Sequence, residues 1–547
     1  MIMIILILYS LLAGLIAHTG VFIHGEWHLK ARKIVAAHLI LGAAAYLLLD
    51  NFSNSPYGSG YQMAVSFISY FVSLFTSMTV YRLLFHAIVS FPGPKLAAVT
   101  KLWHVFHITD SRNFIFMDKI YEKYGTFVRT GPNEITIFHP AAIQLLDGWN
   151  NKNTKDTWYD IMQPRSSAIF TRDENDHRER RKPWVKSLAT KPMDSLRPRL
   201  AGLAQTLSEC ISKYDGEPIV VNDIMTWFSF DAMWEVVFGQ DFNLMKTRGG
   251  HPIIRHRDNA FALLGPVYVA DWIAHLGFDF VPFYGKVRDW FHMVAFCDEH
   301  MKMCITTKEK HDRHHLASWF IDEYRNLKGK WDPEARERLL SGTAVSAVLA
   351  GSDTTRASLI VTWWYLCKYT EHANKIRSEL IDADVADANV LARLPHLNGV
   401  INETLRLVPP ALTGAGRITG PSGLLVDDVL IPPNTRVTAP KYTIHRLEAA
   451  FQYPDEFIPE RWYSRPELIR DKRAFAPFSV GSRQCVGKGL AYVELRMVTA
   501  ILAKNYNVRF APGYNPDSMW REMRDQVTAQ PGPLVCIFEA REGRASC

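Results

Sequence analysis

The chain has 547 residues, 48% of them hydrophobic and 21% charged, with a formal charge of +7. That length admits one large domain or two to three ordinary ones. No run of five or six like charges occurs, which argues against nucleic acid and for an acidic protein partner or membrane lipid facing the basic surplus.

The first ninety residues hold three apolar stretches, Met1–His24, Ile34–Leu49 and Met63–Tyr81. Together they predict a membrane anchor over residues 1–90. The first and third have the length to cross a bilayer, and the second is shorter. The first lacks a basic leading segment and a small-residue cleavage site, so it reads as an anchor and not as a cleaved signal. Lys30, Arg32 and Lys33 lie between the first two stretches, while Asn51–Gly60 carries no basic residue. The positive-inside tendency therefore puts the first loop, and everything after the third span, in the cytosol. A single span with two interfacial helices is the alternative. Asn51-Phe52-Ser53 is a glycosylation triplet, but too near the membrane for a sugar to be expected. Phe91-Pro92-Gly93-Pro94 cannot continue a helix and predicts a hinge to a second domain, residues 91–547.

Beyond the hinge there is neither repeat nor low-complexity linker. Helical patterns dominate at Met117–Tyr124, Glu174–Leu188, Arg197–Lys213 and Ser341–Tyr369. A hairpin is expected from Thr126–Arg129 and Ile135–Phe138 about Gly131-Pro132-Asn133. A strand-rich patch, Leu425–Val437, is broken by Pro432-Pro433. The pattern is that of one large mainly α domain with small sheets at its edge.

Four segments carry chemistry. In His177-Arg178-Glu179-Arg180-Arg181-Lys182-Pro183-Trp184, His177 and Arg181 lie one helical turn apart. In Ala350-Gly351-Ser352-Asp353-Thr354-Thr355, a glycine, an acid and two threonines interrupt good helix formers. Glu403 and Arg406 share a helical face, a spacing common in surface pairs. Last comes Phe478-Ser479-Val480-Gly481-Ser482-Arg483-Gln484-Cys485-Val486-Gly487, a glycine-flanked loop leading into an amphipathic segment. Loop amides and a helix N-terminus direct partial positive charge at the sulfur and favour its thiolate. Gly481 and Gly487 let backbone approach a flat cofactor, and Arg483 can pair with a carboxylate. The other six cysteines, at 210, 297, 304, 367, 536 and 547, follow no disulfide or zinc spacing and suit a reducing compartment. Cys547 ends the chain and cannot be prenylated.

The Cys485 loop resembles the haem-binding loop of the cytochrome P-450 superfamily, Phe-x-x-Gly-x-Arg-x-Cys-x-Gly, at all five specified positions. The resemblance extends in order over about Phe91 to Ala540 and is closest in character to fungal secondary-metabolism members. It implies the triangular, mostly helical cytochrome P-450 fold with small β-sheets. It also implies heme b ligated by Cys485 and lined by Phe478, Gly481, Arg483 and Gly487. Asp353 would relay protons and Thr354 would hydrogen-bond on the oxygen side of the haem, where Gly351 would leave room and let the helix kink. Glu403 and Arg406 would close a structural triad with Arg461 of Pro459-Glu460-Arg461-Trp462. The propionates would fall to His177, Arg181, Trp184 and Arg417, because Leu188 stands where many relatives have arginine. The implied reaction is insertion of one oxygen atom from O2 into an apolar substrate. NADPH would supply the electrons through NADPH–cytochrome P-450 reductase, with cytochrome b5 a further partner, at the endoplasmic reticulum membrane. Arg180, Arg181, Lys182, Lys186 and Lys488 would form the docking face. Pocket walls are expected from Trp158–Phe170, Phe261–Leu276, Val345–Ala350 and Pro410–Ala415. The rival functions are a haem–thiolate isomerase or dehydratase, a non-catalytic haem-binding module, and a three-span membrane protein with an unrelated domain. Such isomerases tend to lose the acid–threonine pair, which is present here.

Overall fold

The computed structural model describes residues 2–52, 57–306 and 315–541. Ser53 of the glycosylation triplet, part of the Asn51–Gly60 loop and the terminal Cys547 lie outside the described residues.

Three helices are long and apolar enough to cross a membrane: Met3–Phe22, Ala31–Asn51 and Ser59–Phe85. The second is longer than its apolar stretch suggested, because Ala31-Arg32-Lys33 joins its first turn. The first and third pack closely, with Gly14 against the Tyr70 carbonyl, where a Cβ would collide. His18 Nδ1 meets Ser77 Oγ at 2.7 Å, and Ser73 Oγ donates to the Leu11 carbonyl at 2.6 Å. Polar groups that would face lipid unpaired are thus satisfied between helices.

The expected hinge at Phe91–Pro94 is pinned. The Arg129 amide donates to the Pro92 carbonyl at 2.7 Å, and Arg82 reaches back to the Val99 carbonyl at 2.7 Å. A second attachment was not foreseen. Glu26 accepts two 2.6 Å hydrogen bonds from Arg172, Asp160 accepts from both Arg172 and His28 at 2.9 Å, and Arg32 pairs with Asp279 at 2.8 Å. The loop between the first two apolar helices therefore lies on the large domain.

That domain is mainly helical. Its axis is the Pro333–Lys368 helix, which begins as its sequence dictates: proline at the first position and Asp332 accepting from the Ala335 amide at 3.0 Å. It packs against Val221–Phe238, Gly285–Thr306 and Lys488–Asn505 around one large hydrophobic core. Val221–Phe238 is buried nearly throughout, its polar residues included, so no single apolar face marked it to periodicity.

The sheets are peripheral. One has five strands in the order Phe127–Gly131, Glu134–Ile137, Arg436–Thr438, Arg417–Ile418, Thr154–Lys155, with only the second and third parallel. Ile135, Ile137 and Val437 bury its core face. The expected hairpin is present, and Leu424–Val426 with Val429–Ile431 forms a second. A three-stranded sheet joins Ile219–Val220, Val535–Ala540 and Tyr506–Phe510, and Arg524–Gln526 pairs with Thr528–Gln530.

Candidate active site around Cys485

Cys485 sits where a tight loop turns into the Lys488–Asn505 helix. The loop makes one short turn at Gly481–Arg483, and the Cys485 amide donates to the Phe478 carbonyl at 2.8 Å. Gly481 has φ +71°, and a Cβ there would collide with the Asp147 carbonyl oxygen, so the position takes glycine alone. Asp147 also moors the loop through its carboxylate, which accepts from Ser479 Oγ at 2.7 Å and Arg417 Nε at 2.6 Å. Sequence reasoning missed Asp147, since an acid ending a short helix carries no local signal.

The Cys485 side chain is accessible on one side. Protein on its other sides pushes the thiol pKa up, while the Gly487 amide and the charges of Lys441, Arg181 and Lys488 favour the thiolate. Phe478 packs on Tyr492 with ring centroids 5.2 Å apart.

Beside the sulfur lies a dense group of cations. His177, Arg181 and Trp184 project from the Glu174–Ser187 helix, whose N-cap Asp173 accepts from the Asp176 amide at 2.7 Å. Burial, aided by Arg483, Lys155 and Arg181, holds His177 down to about 3. Burial and the neighbouring arginines hold Lys155 well below an ordinary lysine, and burial brings Lys441 down to about 8. Arg181 is disfavoured by burial and helped by the Cys485 sulfur. Among the described residues it has no ion pair, and the His177 ring has no hydrogen-bond partner. Trp184 is buried against Phe320, 4.7 Å between centroids.

Four cations are already engaged, Lys155 by the Ile169 carbonyl and Lys441 by the Pro477 carbonyl at 3.4 Å. Arg417 is held by Asp147 and by the Tyr159 hydroxyl at 2.9 Å. Arg483 donates to the Thr171 and Arg172 carbonyls, each at 3.2 Å, and not to a carboxylate. Lys155, Arg417, Lys441 and Arg483 thus gather about the Asp147 carboxylate, with Arg181 beside the sulfur. An anionic ligand placed among them would relieve their repulsion. A lone thiol donor beside a cation surplus fits haem, which needs one axial thiolate and carries two propionates.

The Pro333–Lys368 helix runs as one element through Gly351-Thr355. The room that Gly351 frees goes to Met233, whose sulfur would clash with a Cβ. Asp353 is 0% exposed and held by Arg257 Nη1 at 2.8 Å, Arg356 Nη2 at 3.2 Å, Gln530 Nε2 at 2.8 Å and the Thr528 hydroxyl. The neighbouring Thr354 hydroxyl donates within its own helix, to the Ala350 carbonyl at 2.8 Å. The two residues share no hydrogen-bond partner.

On the other side of the loop, Glu403 accepts from Arg406 Nε at 2.9 Å and Nη2 at 2.7 Å, from Arg461 Nε at 3.2 Å and from Trp462 Nε1 at 2.9 Å. All three charged side chains are 0% exposed. The structure so brings together residues 403, 406 and 461 from distant segments.

Of the expected pocket walls, Trp158, Phe170, Tyr268, Val269 and Ala415 meet in one apolar cluster. A polar group beside it was not foreseen. Thr413 donates to Asp525 at 2.6 Å, and burial raises the Asp525 carboxyl to about 7.

Comparison with known proteins agrees with this geometry. The family model described as Cytochrome P450 matches residues 92–537. The chain is 30% identical over 541 residues to cytochrome P450 monooxygenase phqL of Penicillium fellutanum, covering 97% of this chain and 94% of that protein. It is 32% identical over 531 residues to tryprostatin B 6-hydroxylase of Aspergillus fumigatus, covering 94% and 92%. With cytochrome P450 monooxygenase sthD of Phaeosphaeria nodorum it shares 31% over 478 residues, covering 86% and 99%.

Proposed function

The chain belongs to the cytochrome P450 family, and on that premise we propose that it oxygenates an apolar secondary metabolite, drawing electrons from NADPH through a membrane-bound reductase. It is a haem–thiolate monooxygenase. The observation that carries the reading is the accessible Cys485 thiol in a loop turned by Gly481 and moored by Asp147, beside a dense group of cations.

Haem, held through Cys485, would supply the activation of dioxygen. The protein does the rest. The Phe478–Gly487 loop, moored by Asp147, holds the sulfur in place. Arg181, His177, Lys441 and Lys155 offer charge and hydrogen bonds to the propionates, while Arg417 and Arg483 brace the rim. Thr354 would offer its hydroxyl for proton delivery at the haem. Asp353 would serve that delivery only on leaving Arg257 and Arg356, which hold its carboxylate in this structure. The Trp158–Tyr268 wall admits an apolar ring system, and Asp525 with Thr413 meets a polar substituent on it. Nothing here favours the isomerase, since the acid–threonine pair is retained.

The same proposal sets the chain in the endoplasmic reticulum membrane with its large domain cytosolic. Glu26, His28 and Arg32 pair with that domain, so the first loop shares its side of the bilayer. Lys30, Arg32 and Lys33 make that side the cytosol. Exposed Lys182, Lys186 and Lys488 offer the basic face for the reductase, or for cytochrome b5.

The test joins two variants. Cys485→Ser should abolish the red-shifted ferrous–carbonyl band of the thiolate haem, and retention of the band refutes the ligand. Thr354→Ala should keep that band and consume reductant while diverting most of it to hydrogen peroxide; unchanged product per NADPH refutes the proton role.

A further inference from the structure

Far along the chain from Cys485, two buried histidines and a glutamate converge. His372 comes from the Thr370–Glu379 helix, His396 from the first turn of Pro395–Leu407, and Glu460 from the short Pro459–Trp462 turn. The His372 and His396 rings stack at 5.1 Å, with His372 Nδ1 and His396 Nε2 facing each other at 3.1 Å. Glu460 Oε1 lies 4.0 Å from Nδ1 of each ring. Both rings are under 9% exposed.

We propose that His372, His396 and Glu460 bind one divalent cation of the zinc class, completed by water, which ties these three segments together. A tetrahedral zinc with bonds near 2.0–2.1 Å sets its ligand atoms roughly 3.3 Å apart. The facing nitrogens at 3.1 Å already meet that spacing. Glu460 Oε1 has to close on His372 Nδ1, now 4.0 Å away, by less than about 1 Å, and its side chain, 19% exposed, has the freedom to do so. His396 Nδ1 is hydrogen-bonded to the Tyr463 hydroxyl at 3.0 Å. With Nδ1 donating to that hydroxyl, Nε2 is free to ligate, as an outer partner arranges at metal histidines. Two histidines and a glutamate with water make a recurrent zinc set.

The cluster already attracts a cation. Lys375 Nζ stands 2.5 Å from Glu460 Oε1, on a side chain 51% exposed that can swing into solvent. A metal would take its place on the carboxylate. The adjoining residue, Arg461, closes on Glu403, so a metal here stiffens the scaffold behind the Cys485 loop.

The test uses the full-length haem-loaded protein in detergent, stripped with chelator and titrated with zinc chloride, with bound metal counted after equilibrium dialysis. One zinc per chain is expected, and His372→Asn should weaken it by roughly tenfold or more, its haem spectrum serving as the folding control. Lys375→Met, which removes the competing ammonium at the surface without touching either histidine, should bind zinc several-fold more tightly. Absence of zinc from the wild type at micromolar metal overturns the site. So does full binding by a folded His372→Asn protein. Unchanged affinity in Lys375→Met overturns the part given to Glu460.

Discussion

Replacing Asp353 by asparagine tests what holds this acid. The substitution keeps shape and leaves acceptors for Gln530 and Thr528, but Arg257 and Arg356 then face a neutral amide. Arg257 is 2% exposed. Removing one member of a buried ion pair costs about 3–5 kcal/mol, because a charge is left uncompensated in a poor solvent for it. Arg257 retains Asp258 at 2.8 Å and Arg356 retains Gln530, which puts the cost at the lower end. For roughly 450 residues at about 2 cal/mol/K each, the unfolding entropy is roughly 0.9 kcal/mol/K, so about 3 kcal/mol lowers the midpoint by about 3 °C. Thr354→Ala removes one bond made within its own helix, and its midpoint should stay within about 1 °C of wild type. Loss of the haem absorption band on heating, followed at one scan rate for all three proteins, reads the difference. An Asp353→Asn midpoint equal to that of Thr354→Ala would refute the argument that the Arg257–Asp353–Arg356 cluster supports the fold.

Three further outcomes are expected. Burial raises the Glu494 carboxyl to about 8, with one oxygen bonded to Thr355 and the other unpartnered. A carboxyl raised on folding stabilises at low pH and loses that contribution as pH climbs from its unfolded value to about 8. Glu494→Gln should therefore flatten the fall in thermal midpoint between pH 5 and 8, and an equal fall in both proteins would refute it. Gly481→Ala must adopt a left-handed backbone and push against the Asp147 carbonyl, so haem occupancy after purification should drop sharply; full occupancy would mean that the loop can yield. Arg172→Ala removes both bonds to Glu26, and protease sites within 24–30 should open in membranes while the haem spectrum persists. Unchanged cleavage would show the loop to be held by other contacts.

Much of this was legible in the sequence, for physical reasons that differ by residue. The Cys485 loop was plain because its pattern of phenylalanine, glycines, arginine and cysteine is written within ten consecutive residues, although Asp147, which moors it, lies far off in the chain. The three apolar helices were plain from composition, though the second was cut short because Arg32 and Lys33 hid its first turn. Roles that depend on distant partners were not legible. Arg417 reads as a free cation until Asp147, 270 positions earlier, is placed against it. Asp353 reads as an acid in a threonine-rich turn until Arg257 and the Thr528–Gln530 strand close over it. Lys441 and Lys155 carry no motif at all, and only folding gathers them beside Arg181. The histidines of the proposed cation site lie 24 positions apart, outside any spacing rule for metal ligands.

The bonds from the first loop to Arg172 have a consequence for how the enzyme rides on its membrane. A body tethered by one linker swivels; a body moored at two separated points does not. Here one mooring is covalent, through residues 91–94, and the other is a set of ion pairs at Glu26, His28 and Arg32. The Arg172 carbonyl accepts from Arg483, two positions before Cys485. The second mooring thus ends at the loop that bears the sulfur. Exposed ion pairs weaken as salt rises, so ionic strength sets how firmly the large domain is berthed against the first loop.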